Sequence, residues 1–272
     1  GSTKIVIDTN ISGLFKDDYP LAVAVNVVDN NMAGSQDMEV MIDTKTVDGM
    51  LDVDLLTAVD ALQTSLEARY PNTIGRTYSL ANIVKDTNQV MNDDNPEFYR
   101  IPKSNQTVSQ LLYLFNSANP EDRRNLVSDD YSRSHISVTS RSMGSFGYQQ
   151  MFAEVELDIE ARFAHLKTAY PDLEIVLTGT MATFMVVSDE IARSQFNGFA
   201  LALVLISLIM IITLGSLRGG VMGMIPNAIP AFLAFGLMGL LGIPLDTDTL
   251  LIAPVILGIA VDDTIHFMTH YR

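Results

Sequence analysis

Three long apolar runs close the chain, at 196–214, 221–241 and 250–271, and the first two contain no charged side chain. At about 1.5 Å per residue the first run is about 28 Å long, enough to cross the hydrocarbon core of a bilayer. The third run differs because it reads GIAVDDTIHFMTHYR at its end and places Asp262 and Asp263 side by side after Leu250–Val261. Its apolar residues favour insertion by roughly 2.5–5 kcal/mol together, and the two aspartates oppose it by roughly 5–7 kcal/mol. Such a helix does not sit alone in lipid. It needs a helix bundle, a water-filled path or partner charges. Desolvation and mutual repulsion both favour a proton on at least one of the two carboxyls. His266 is four residues after Asp262 and three after Asp263, so it could share that proton. His266 and His270 could equally be solvated at the membrane interface. Gly258 lies one turn before Asp262 and permits close helix approach.

The rest of the chain has a different composition. Of the 32 acidic residues, all but Asp246, Asp248, Asp262 and Asp263 lie in 1–195, as do all of the 17 basic residues but Arg218 and Arg272. We therefore expect two domains, 1–195 and 196–272. An acidic front domain does not suit nucleic acid, whose backbone needs cations. Cysteine is absent, which excludes disulfides, thiol catalysis and thiolate metal sites. The start, GSTKIVIDTN, has no signal-peptide pattern, so a front domain outside the cell would need a preceding membrane helix, and we expect the chain to be a fragment. Arg218 and Arg272 fall on one side of the spans and the acidic domain on the other. The positive-inside rule places that domain outside.

Within 1–195, strand-like and helix-like patterns alternate. Asp17-Asp18-Tyr19-Pro20 starts a helix that Gly34 stops. Strands are expected at 38–43, 73–78, 135–141 and 173–179. Helices are expected at 53–70, 80–91, 108–115, 148–170 and from Met181 towards the membrane. Two similar strand–helix–strand halves suggest paired βαβ units in an α+β domain.

The run SLRGGVMGMIPNAIPAFLAFGLMGLLGIPL followed by GIAVDDTIHFMTHYR closely resembles the resistance–nodulation–division (RND) superfamily. Within it, the chain is most similar to the lipid-exporter branch of the mycobacterial large membrane proteins, the hopanoid exporter and the Patched relatives. Gly258, Asp262 and Asp263 match that family's glycine-x-x-x-aspartate-aspartate motif. The resemblance implies that 1–195 is a periplasmic porter domain built from βαβ (ferredoxin-like) subdomains, followed by three transmembrane helices. Transporters of this kind have two halves, each with one helix, a porter domain and five more helices. The chain looks more like the second half. The resemblance also implies a proton-coupled secondary transporter, not an enzyme, in the bacterial inner membrane, with Asp262 and Asp263 in the proton relay. Its expected partners are the remaining half, membrane lipids, a hydrophobic substrate and further copies in a homo-oligomer. No cofactor or metal is expected beyond the proton itself.

Two other functions fit the same residues. One is a sterol-sensing-like scaffold that binds lipid without pumping, and the other an accessory to protein translocation. Asn227, between Pro226 and Pro230, could bond backbone groups freed by the prolines or line a path. Asp93-Asp94 and Asp129-Asp130 are acidic pairs without calcium or zinc spacing, expected to be solvated. Asp48, Asp52 and Asp54 precede a helix and suit its N-terminus. His135 and His165 have no companion motif, and no G-x-S-x-G elbow or phosphate-binding glycine loop occurs. The scattered methionines read as core filler.

Overall fold

The structure is a computed structural model, and it describes residues 8, 15–118, 120–243, 245, 247–252 and 254–261. The chain divides into an α/β unit, Leu14–Met143 with Gly147–Thr183, and a helical unit, Phe184–Arg272 with Gly144–Phe146 and the N-terminal residues.

Helix α1 (Pro20–Asn31) opens the α/β unit with proline in its first turn, and Gly34 follows it at φ +129°. Strand β1 (Gln36–Asp43) alternates, and Met38, Val40 and Ile42 are fully buried on one face. Helix α2 (Val53–Arg69) starts where the Asp52 carboxylate accepts the Asp54 N–H at 2.9 Å. It buries Leu55, Leu56, Val59, Leu62 and Leu66, the apolar stripe visible in its sequence. Strand β2 (Ile74–Ser79) leads into α3 (Leu80–Val90) through a capping box of Ser79 and Asn82. Gly75 lies at a register shift between β2 and β3, with the backbone of Ala33 where a Cβ would sit. Helices α4 (Asn105–Ala118) and α5 (Pro120–Arg124) follow, then β3 (Arg133–Ser140). Helix α6 (Ser145–Phe163) continues as a 3-10 helix, Ala164–Thr168, before β4 (Glu174–Thr178).

The four strands form one sheet in the order β2-β3-β1-β4, with every neighbouring pair antiparallel. Strands β1 and β2 therefore run parallel with β3 between them, and β3 and β4 run parallel with β1 between them. Each half of the sequence supplies one split βαβ unit, and the two interdigitate in a single sheet. The periodicity of each half reports its own strands and helices, while the pairing between halves is nonlocal.

In the helical unit, α7 (Thr180–Leu214) and α8 (Leu217–Leu241) are each long and apolar enough to cross a membrane. Helix α7 begins sixteen residues before the uncharged run at 196–214. Gly215, at φ +61°, turns the chain between the two helices. The Ser216 hydroxyl then accepts the Gly219 N–H at 3.2 Å to cap α8. Gly220 lets the start of α8 approach Ile211 of α7 more closely than any Cβ would allow. Gly242, at φ +69°, ends α8. A short helix α9 (Thr247–Leu250) and helical residues 254–261 complete the described part. The run at 250–271 was expected to be a third span, and its part from 262 onward lies outside the described residues.

Candidate functional site

Leu257 and Val261 are four residues apart, so they share one face of the helix at 254–261. Both are buried, and they form one apolar cluster with Met210 of α7 and Met224 of α8. Phe199, Ala202, Leu203 and Ile206 of α7 pack around that cluster. Three helical segments thus meet along a row of α7 residues at helical spacing.

Asn227 of α8 lies beside this cluster and is 1% exposed. Its Nδ2 donates to the Gly223 carbonyl at 3.1 Å and lies 4.0 Å from the sulfurs of both Met210 and Met224. Pro226 and Pro230 have no N–H, so the carbonyls of Met222 and Pro226 lose their usual helical partners. The amide of Asn227 therefore adds polarity to a stretch of α8 where the backbone is already under-bonded. Sequence reading singled out Asn227 but missed the two methionines, one of which comes from another helix. The only local signal was Met224, three residues before Asn227.

Gly258 follows Leu257 and so turns about 100° away from the buried cluster. It is exposed, and a Cβ built there would meet nothing within 4 Å among the described residues. The close packing that its glycine permits is thus made neither by α7 nor by α8 at this position. Asp262, Asp263 and His266 lie outside the described residues.

The remaining candidates do not converge on one place. Asp129 pairs with Arg123, and that guanidinium holds its carboxyl below the usual range. Asp130 accepts bonds from the Ser128 hydroxyl at 2.6 Å, the Ser132 hydroxyl at 2.8 Å and the Ser132 N–H at 3.1 Å. These pull its pKa down to about 2. Both carboxylates serve the loop before β3. Asp93 and Asp94 have left-handed backbones (both φ +57°), and Asp48 lies at φ +62° in the turn before α2. His135 is half-buried on β3, and His165 is exposed in the 3-10 helix after α6. Among the described residues, no three metal-ligating side chains cluster.

Comparison with known proteins places the chain in a family. The model of the MMPL family matches residues 13–272, nearly the entire chain. The chain belongs to the MMPL family. This family lies within the RND superfamily, whose members are membrane transporters rather than enzymes. A protein of Methanocaldococcus jannaschii that is named as a membrane protein is 26% identical over 278 residues, which cover 99% of this chain. The chain spans 66% of that relative's length. Membership, that relative and the two long apolar helices make this a membrane protein.

Proposed function

We propose that the chain is part of a proton-driven exporter of hydrophobic or lipid-like substrates, with the α/β unit as its periplasmic porter domain on the outer side of the inner membrane. The observation that carries this reading is the match to a transporter family along 13–272, in a chain whose third apolar run holds an aspartate pair. Asp262 and Asp263 act as the proton relay, with His266 able to share the proton. Leu257 and Val261 anchor the preceding turn to α7 and α8. Gly258 keeps its face open for helices of the remaining half or of a further copy. Protonation of the carboxyls changes the cost of keeping them in the bundle and so shifts its packing equilibrium. The interdigitated βαβ order supports a ferredoxin-like porter fold that responds to that shift. The coupling ion is the proton, and no cofactor takes part.

The test is proton flux and lipid efflux from vesicles carrying the complete polypeptide under an imposed pH gradient. Asp262→Asn with Asp263→Asn should abolish both fluxes, by at least about a hundredfold, while the protein still inserts. Undiminished flux in the folded double variant would refute the relay.

A further inference from the structure

Strand β4 is the last strand of the sheet, with β1 on one side and no strand on the other among the described residues. A cavity of about 360 Å³ opens between this edge and α6. Ile159 and Phe163 form its helix side and are buried, while Leu173, Ile175, Val176 and Leu177 form its strand side. Side chains alternate between the two faces of a strand, so three consecutive residues cannot line one wall through side chains on a single face. Ile175, Val176 and Leu177 all border the cavity because it reaches the strand's edge, where backbone N–H and C=O groups stand. Glu156, Glu160 and Lys167 occupy the same stripe of α6 and its 3-10 extension as Ile159 and Phe163. Among the described residues, neither Glu156 nor Glu160 has an ion-pair partner.

We propose that the β4 edge is a docking site for an extended segment of another polypeptide, apolar at alternate positions and basic where it passes Glu156 and Glu160. The segment adds as a fifth strand about 4.8 Å beyond β4 and bonds the edge backbone, with its inward side chains in the cavity beneath α6. A hydrocarbon chain would fill the apolar floor but leave the edge backbone groups without partners. A second copy of the same edge fits poorly, because it would bring its own Glu174 and an acid-rich domain against Glu156 and Glu160. The sheet unit thus presents an acidic, apolar-floored edge that selects a basic strand.

The experiment uses the full chain in lipid nanodiscs and a fluorescent ten-residue peptide of alternating valine and threonine flanked by lysines. We expect saturable binding that is lost when alternate backbone nitrogens are methylated and when glutamates replace the lysines. Glu156→Gln with Glu160→Gln changes only exposed side chains and should weaken binding about fivefold. Ile175→Trp, which fills the cavity, should abolish it. The proposal is overturned if the lysine-flanked peptide does not bind, if the methylated or glutamate-flanked peptide binds equally well, or if the glutamine variant is unaffected. A dimer that forms through β4 and excludes the peptide also overturns it and assigns the edge to a second copy. Proton flux plays no part in these readings, so the proposal stands or falls apart from the transport function.

Discussion

In the α/β unit, Val40, Ile42, Leu55, Leu62 and Ile136 are fully buried, whereas in α7 and α8 Leu205, Leu208, Phe232 and Leu233 are at least half exposed. The side chains are chemically alike, and their surroundings are opposite. In the α/β unit the buried amides of Gln63 and Asn88 find hydrogen-bond partners inside the fold. Buried Gln63 donates to Thr77 Oγ1 at 3.1 Å and to Asn82 Oδ1 at 2.8 Å, and it accepts from the Ser79 hydroxyl at 2.7 Å. Asn88 holds the carbonyls of Phe98 and Arg100 at 2.7 and 3.1 Å. Water drives that packing, because each apolar side chain leaves it and each buried polar atom must replace it. Helix α7 satisfies its backbone internally, as α8 does apart from the carbonyls of Met222 and Pro226, and both leave apolar faces outward, which is stable in lipid and costly in water.

The strongest test of this contrast pairs Leu55 with Leu205. Leu55→Ala should destabilise the α/β unit by about 2–5 kcal/mol, through lost burial and a cavity. Leu205→Ala should change stability by under about 0.5 kcal/mol, but Leu205→Asp should cost about 2.5–3.5 kcal/mol of membrane insertion. Chemical denaturation and a membrane-insertion assay measure the two effects. If Leu205→Asp inserts normally, α7 does not face lipid at this position, and the contrast between the units fails there.

A smaller effect is expected at Asn227, the buried polar residue of the helical cluster. Asn227→Leu keeps the volume close and meets the apolar surroundings of Met210 and Met224, so it should alter thermal stability by no more than about 1.7 kcal/mol. Transport measured in parallel separates two roles. A stable variant that no longer transports makes Asn227 part of a polar path, and unchanged transport makes it a support for the proline-interrupted helix.

The smallest effect concerns acid. Asp130 ionises more readily when folded, at about 2, than an unfolded aspartate at about 3.9. Its stabilising contribution is therefore complete above about pH 4 and is lost as pH falls from there towards 2. Asp158 acts in the same direction. Burial opposes its ionisation, but the Ser65 hydroxyl, Arg162 and Arg69 outweigh burial and hold its pKa below the usual value. Thermal unfolding of the full chain at pH 5 and pH 2.5 should show a smaller acid-induced loss for Asp130→Ala than for the parent. An identical loss would mean that Asp130 plays no part in acid sensitivity.

Local chemistry made much of this molecule legible in its amino-acid order. Alternation in 135–141 marked β3, whose strand runs Arg133–Ser140, and the spacing of Leu55, Leu56, Val59, Leu62 and Leu66 marked α2. Pro20 and Gly34 bracketed α1. The uncharged runs marked α7 and α8, because hydrocarbon excludes charge over a length that the chain itself displays. Asn227 stood out as an amide between two prolines in an apolar run. What only the tertiary structure decided is long-range. It placed β3 between β1 and β2, set Met210 beside Asn227, and left an open edge at β4 under the stripe of Glu156 and Glu160. Such contacts join residues far apart in sequence, and no local period or single residue type encodes which distant segment will meet which.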